Sequence, residues 1–190
     1  MLSSRSAISA LSSAGYALLD MPSIVVPFRA GKTRIEADDR EALARAMLED
    51  VLAACRVVGE TIVADGDEGQ GAAVQEALAP LAGLVAIVNA DLPCLTADDL
   101  RALFEAVPEN GIAVAPAGDG TTNALGLASP ALFAPLYGPG SAEEFRAHAS
   151  QLGVASAVVF RPNLADDVDT LDDLAPLGER VGPHTRAALA

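Results

Sequence analysis

The stretch LVAIVNADLPCLTADDL, Leu84 to Leu100, decides the fold. Its apolar run, Leu84 to Val88, ends in Asn89 and Asp91 and is stopped by Pro93; Thr96 and Asp99 then have the spacing of a capping box. The pattern predicts a buried parallel strand, an acidic loop and a helix. In open α/β sheets ligands sit outside the carboxyl ends of the strands, so a carboxylate at position 91 faces the usual site. Asp91 is therefore the first candidate, beside the plainer reading in which it closes a turn.

A second acidic cluster, LADDVDTLDDL, runs from Leu164 to Leu174. Asp167 and Asp169 alternate with Val168, so in extended chain both point to one face, and Thr170 with Asp173 repeats the capping signal. Two carboxylate clusters at two strand ends suit Mg²⁺, which binds through one or two carboxylates plus phosphate oxygens.

Working outward, Ser23 to Phe28 (SIVVPF) reads as the first strand, and the loop after it carries Arg29, Lys32 and Arg34 beside Gly31. Such a loop can approach and neutralise a triphosphate, or be simply a solvated basic turn. Asp38 with Glu41 caps the next helix, whose stripe is Leu43, Met47, Val51 and Ala54. Thr61 to Ala64 is a second short strand, followed by a loop holding Gly66, Gly69 and Gly71 and a helix from Ala72 to Leu78. The glycine spacing matches neither a dinucleotide fingerprint nor a phosphate loop, so any nucleotide is held another way.

Beyond the helix at Asp98 to Val107, Gly111 to Pro116 gives a fourth strand. Gly118, Gly120, Thr121, Thr122 and Asn123 gather donors in one turn before a strand from Ala124 to Ala128, a cluster suited to a small anion or to a plain turn. Ser129-Pro130 has the order of a cap and first helical proline. Gly138, Gly140 and Ser141, with Glu144 three residues on, predict a helix start that aims free N–H groups at a phosphate or carboxylate, or a structural cap. Ala157 to Phe160 is the last strand, and a short helix follows Leu177. His148 and His184 have no Ser, Cys or metal-spaced partner, which disfavours a triad or a zinc site.

The whole chain agrees with helices laid over a parallel sheet. Its 190 residues suffice for one well-filled α/β domain, over 23–190, preceded by an N-terminal extension, 1–22. Apolar residues make up 51% and aromatics only 4%, with no Trp, so Ala, Val and Leu must build the core. A formal charge of −14 argues against nucleic acid as partner and makes the 12 basic residues informative. Cys55 and Cys94 form no disulfide framework. No long apolar run predicts a membrane span, and the Ser/Ala-rich start lacks the layout of a signal peptide, so the cytoplasm is the expected compartment. Nothing fixes the oligomeric state; a homodimer is compatible with the sequence.

Taken in order, GKTRI, NADLPCL, GTTNAL, YGPGS and DDVDTLDDL resemble the CofC/FbiD family, guanylyltransferases that make the activated phospho-acid precursor of the deazaflavin coenzyme F-420. The resemblance runs from Ile24 to Leu174, and its strand-end motif recurs in nucleotidyltransferases related to molybdenum-cofactor guanylyltransferase and the GT-A glycosyltransferases. It implies a three-layer α/β sandwich with a mostly parallel mixed sheet, of nucleotide-diphospho-sugar-transferase type. It also implies GTP and Mg²⁺, with phosphoenolpyruvate or 2-phospho-L-lactate as acceptor and 3-phosphoglycerate a further variant. Thr122, Gly138 and Ser141 match the family's acceptor contacts. Asp91, Asp167 and Asp169 match its metal-binding acids, and Lys32 and Arg34 its loop near the triphosphate. This chain has Arg29 where the family usually has lysine, and GAAVQEA where a Gly-Leu-Asn step is usual, so Gln75 stands in for the asparagine near the base or ribose. The stretch between Ser141 and His148 is longer than usual. A phosphate monoester, with a second pKa of roughly 6, is mostly dianionic near neutral pH and attacks without a general base. The alternatives are another nucleotidyltransferase of this fold and a catalytically silent nucleotide-binding module.

Overall fold

The computed structural model describes residues 21–29, 40–66 and 69–190. The N-terminal extension up to residue 20 and the loop with Gly31, Lys32, Arg34 and Asp38 lie outside the described residues.

Six strands form one mixed sheet: β1 (Ser23–Pro27), β2 (Glu60–Ala64), β3 (Val85–Val88), β4 (Ile112–Pro116), β5 (Thr122–Leu127) and β6 (Ser156–Val158), in the order β2-β1-β3-β5-β4-β6. The pairs β1/β2, β1/β3 and β4/β6 are parallel, and β5 runs antiparallel to both β3 and β4. This is the mostly parallel mixed sheet that the resemblance implies. β4 and β5 are joined by a short turn, which only an antiparallel pair allows.

Alternation along the strands sends residues to two cores. Ile24, Val26, Ala86, Val88, Ala113, Ala115 and Ala124 face α1 (Arg40–Arg56) and α3 (Ala97–Glu105). Val25, Val85, Ile87, Ile112, Val114, Leu125 and Leu127 face α2 (Gln70–Leu78) and α4 (Ser141–Gln151). Helices on both faces make the three layers.

The core chemistry explains the scarcity of aromatics. On the α3 side β4 and β5 present mostly alanine, and a Cβ at Gly126 would lie 2.6 Å from Val107 Cγ2, so only glycine fits there. The helix can then sit close and bury Leu100 and Leu103 completely, a gain of about 1.5–3 kcal/mol each. Three rings in tilted and edge-on contact, Phe133, Tyr137 and Phe145, gather on the other face at α4.

A third cluster joins distant segments. Leu43 and Met47 of α1 pack with Cys94, Val168, Leu174, Leu177 and Val181. It fastens the loop after β3 to the acidic stretch and to the C-terminal segment, which ends in α7 (Pro183–Ala188).

Several boundaries differ from expectation for tertiary reasons. β5 begins at Thr122, so Thr122 and Asn123 belong to the strand and not to the preceding turn; pairing of Thr122 with Pro116 extends it. β6 is Ser156–Val158, because its pairing with Ile112 to Val114 of β4 sets its span. α2 opens at Gln70, two residues early, taking Gly71 into its first turn.

Candidate active site

A cleft of about 410 Å³ opens at the carboxyl ends of β2, β1 and β3. Pro27, Phe28 and Arg29 border it from β1, Ala64 and Gly66 from β2, and Asn89, Ala90 and Asp91 from β3. Gly69, Gln70 and Ala73 close the α2 side, Ala44 and Met47 the α1 side, and Val168 and Asp169 lie opposite. Its position is the one that strand geometry assigns to ligands in such sheets.

The loop carrying Asp91 is held at both ends. Asn89 N–H donates to Asn123 C=O at 2.9 Å, anchoring the strand end to β5. Beyond Pro93 the Thr96–Asp99 box forms as the spacing predicts: Asp99 N–H donates to Thr96 Oγ1, and Thr96 N–H donates back to Asp99 Oδ2. The Asp99 carboxylate is buried and accepts from three further donors, Thr96 Oγ1–H, Asn163 Nδ2–H and Arg161 Nε–H, the last at 2.9 Å. Burial alone would raise its pKa, but the hydrogen bonds from Thr96, Asn163 and Arg161 outweigh it and hold the carboxyl below its ordinary value.

The second acidic cluster meets the first through one backbone bond. Val168 N–H donates to Asp91 C=O at 3.0 Å, and the Val168 side chain is buried in the third cluster. Asp167 and Asp169 therefore flank a residue pinned against Asp91. Asp169 borders the cleft together with Asp91. Asp167 accepts from Asn123 Nδ2–H at 3.2 Å. Burial pushes its pKa up, the Asn123 bond opposes the shift, and the charges of Asp169 and Asp119 add to it.

These acids do not stand at a second strand end, as the alternation suggested. They occupy the loop between α5 (Pro162–Ala165) and α6 (Leu171–Leu174), because Pro162 starts a helical turn soon after β6. Among the described residues no group of three His, Cys, Asp or Glu side chains is arranged to hold a metal ion. Two carboxylates at one cleft remain a donor set that fits Mg²⁺, whose other positions go to phosphate oxygens and water.

The other predicted residues fall in different places. Arg29 borders the cleft. Gln75 is exposed on α2 and does not line the cleft; the residue there is Gln70, on the first turn. Five residues along a helix turn the side chain well away from the starting face, which separates the two.

Thr122 and Ser141 are buried and bonded to each other, Ser141 Oγ–H donating to Thr122 Oγ1 at 3.0 Å. They adjoin the cleft through Asn89, whose Nδ2–H donates to Thr122 C=O. The start of α4 differs from expectation. Its N-cap is Gly140, with φ 76°, not a Ser141 box with Glu144. Ser141 N–H donates to Gly138 C=O and Ala142 N–H to Gly120 C=O, so the glycine loop before α4 and the turn between β4 and β5 each place a carbonyl on the helix start. The first two N–H groups of α4 are thus satisfied within the chain rather than aimed outward.

The sequence gives no site role to Gln70 or Asn89, and it reads Asn123 as part of an anion-binding turn, whereas in the fold Asn123 bonds Asp167. Asn89, next but one to Asp91 in the strand-end motif, was the signal available; the other two are linked to it only through tertiary hydrogen bonds.

The chain matches the family model described as "Guanylyl transferase CofC like" over residues 23–180. It is 34% identical over 171 residues to the phosphoenolpyruvate guanylyltransferase of Sphaerobacter thermophilus, covering 76% of this chain and 83% of that one. It is 37% identical over 194 residues to the 2-phospho-L-lactate guanylyltransferase of Halorubrum lacusprofundi, covering 87% and 89%. Among solved structures, 2-C-methyl-D-erythritol 4-phosphate cytidylyltransferase from Thermus thermophilus superposes with a TM-score of 0.58 at 18% identity, covering 88% of this chain and 98% of that one. That likeness speaks for the fold alone. The family model spans the sheet, the cleft and both acidic loops, and on that ground the chain belongs to the CofC-like guanylyltransferases.

Proposed function

We propose that this protein joins GMP from GTP to a small phospho-carboxylic acid, phosphoenolpyruvate or 2-phospho-L-lactate, in coenzyme F-420 biosynthesis. The observation that carries the reading is the Val168 N–H bond to Asp91 C=O, which brings Asp91 and Asp169 to one cleft bordered by Arg29. Phosphoenolpyruvate is the acceptor in the name of the Sphaerobacter thermophilus relative and 2-phospho-L-lactate in that of the Halorubrum lacusprofundi relative.

In this reaction a phosphate oxygen of the acceptor attacks the α-phosphorus of GTP. The new P–O bond forms as the bond to the α,β-bridging oxygen breaks, and pyrophosphate leaves with the electron pair. With a second pKa of roughly 6 the acceptor phosphate is already a nucleophile. Catalysis is then positioning and charge neutralisation.

Asp91 and Asp169 would hold Mg²⁺, with Asp167 in support, and the bound ion would screen charge passing to the pyrophosphate. Arg29, Lys32 and Arg34 neutralise the triphosphate. Thr122, Gly138 and Ser141 hold the acceptor, Thr122 reaching the cleft edge through Asn89. Gln70 lines the cleft where Gln75 was expected to serve the nucleotide. Among the described residues no helix is long and apolar enough to cross a membrane; the cytoplasm, where GTP is held, is the proposed compartment.

The test is incubation with GTP and Mg²⁺ and, separately, phosphoenolpyruvate, 2-phospho-L-lactate or 3-phosphoglycerate, with mass detection of the product. A guanylylated acid with one of them is the expected result. GTP binding without pyrophosphate release for any acceptor, or turnover only with a sugar phosphate or a pterin, would overturn the proposal.

A further inference from the structure

Three amide side chains cross the sheet ends between the cleft and Asp167. Gln70 Nε2–H donates to Asn89 Oδ1 at 2.9 Å, and Asn89 Nδ2–H donates to Thr122 C=O at 3.2 Å and lies 3.5 Å from Asn123 Oδ1. Asn123 Nδ2–H in turn donates to Ala165 C=O at 3.4 Å and to Asp167 Oδ1 at 3.2 Å. Asn123 is only 1% exposed, so solvent is no substitute for these partners.

The chain has a direction that its acidic end imposes. An ionised carboxylate only accepts, so Asn123 must turn its NH₂ toward Asp167 and its oxygen toward Asn89. Asn89 must then present its NH₂ to Asn123 and its oxygen to Gln70. One anion thereby orients three amides, the last of which borders the cleft.

We infer that Asn123 is a positioning residue, which sets the Asp167 carboxylate for metal support and keys the cleft-side amides to it. The inference rests on the proposed role of Asp167 as a supporting metal acid. Two donors of one rigid, buried side chain fix both the loop backbone at Ala165 and the acid two residues later, so Asp167 cannot swing away from Asp169. Outer partners of this kind commonly change metal affinity by about 10–100-fold when removed.

The test reads Mn²⁺ binding to the full chain from the paramagnetic resonance signal of the free ion, without substrate or turnover. Asn123→Leu keeps the approximate shape and removes both donors; it should raise the Mn²⁺ dissociation constant about 10–100-fold. The double variant Asn123→Leu with Asp167→Asn should bind no more weakly than Asp167→Asn alone, since one acts through the other. If Asp167→Asn weakens binding while Asn123→Leu stays within about twofold of wild type, the positioning role is wrong and the metal role of Asp167 stands. If Asp167→Asn leaves Mn²⁺ binding unchanged, both fall. Should Asn123→Leu not fold by circular dichroism, Asn123→Ser, too short to reach both Asn89 and Asp167, is read by the same criteria.

Discussion

Replacing Asp99 by alanine removes the acceptor for four donors at once: the N–H and hydroxyl of Thr96, Asn163 Nδ2–H and Arg161 Nε–H. Losing the reciprocal cap costs about 1 kcal/mol. The Asn163 and Arg161 bonds end on a charged acceptor, each worth about 1.5–3 kcal/mol. Arg161 keeps 42% of its side chain in solvent and rehydrates when released, which places its share at the low end. The expected loss is about 4 to 5.5 kcal/mol, a fall in Tm of about 8 to 22 °C for a domain of this size. Urea unfolding followed by circular dichroism gives the number directly. The pH dependence supplies an independent check. Asp99 is depressed in the fold, so its contribution is complete above its unfolded value and is lost as pH falls through its lower folded value. The gap between wild type and Asp99→Ala should therefore hold near pH 7 and narrow once the pH falls below about 4, the ordinary carboxylate value. A loss under about 1 kcal/mol near pH 7, or a gap that ignores acidification, would refute the assignment of this carboxylate as the brace between α3 and the start of the second acidic stretch.

Other substitutions probe the site and its supports. Asp91→Asn should abolish metal-dependent turnover while the unfolding midpoint stays within a few degrees; near-normal activity would remove Asp91 from the metal site. Asp50, buried in α1, accepts from His184 N–H and Thr185 N–H. Asp50→Ala should cost about 2–3 kcal/mol and make the C-terminal segment the first point of proteolytic cleavage. Burial pushes the Cys55 thiol up to about 12 and raises Cys94 as well, so neither should alkylate with iodoacetamide near neutral pH until the chain is unfolded. The Tyr137 hydroxyl is buried with no hydrogen-bond partner among the described residues, and Tyr137→Phe should leave thermal stability unchanged or raise it by about 1 kcal/mol, as scanning calorimetry would show.

The parts legible in the sequence were those decided locally. The run ending in Asp91, the Thr96–Asp99 and Thr170–Asp173 boxes, and the stripe of Leu43, Met47, Val51 and Ala54 all follow from spacing within one or two turns, and all are present. What distant pairing decides was not legible. Thr122 is strand because Pro116 lies opposite it, and the second acidic loop reaches the cleft because Val168 bonds Asp91. Ser141 looked like a cap; in the fold Gly140 takes that place and frees the serine hydroxyl to reach Thr122. The family resemblance puts Gln75 in the asparagine's place, whereas the helix begins early enough to bring Gln70 to the rim. The ion pair of Asp99 with Arg161 joins residues far apart in the chain, and no local pattern announces it.

The stretch from Val181 to Thr185 lies just past the residues that match the family model. Gly182 N–H nevertheless donates to Pro93 C=O at 2.8 Å, Val181 is packed beside Cys94 and Val168, and Asp50 anchors the turn that follows. The loop that carries Asp91 thus leans on a buttress drawn from just beyond the matched residues. How firmly that loop is held is set partly by a short segment that carries none of the motif residues.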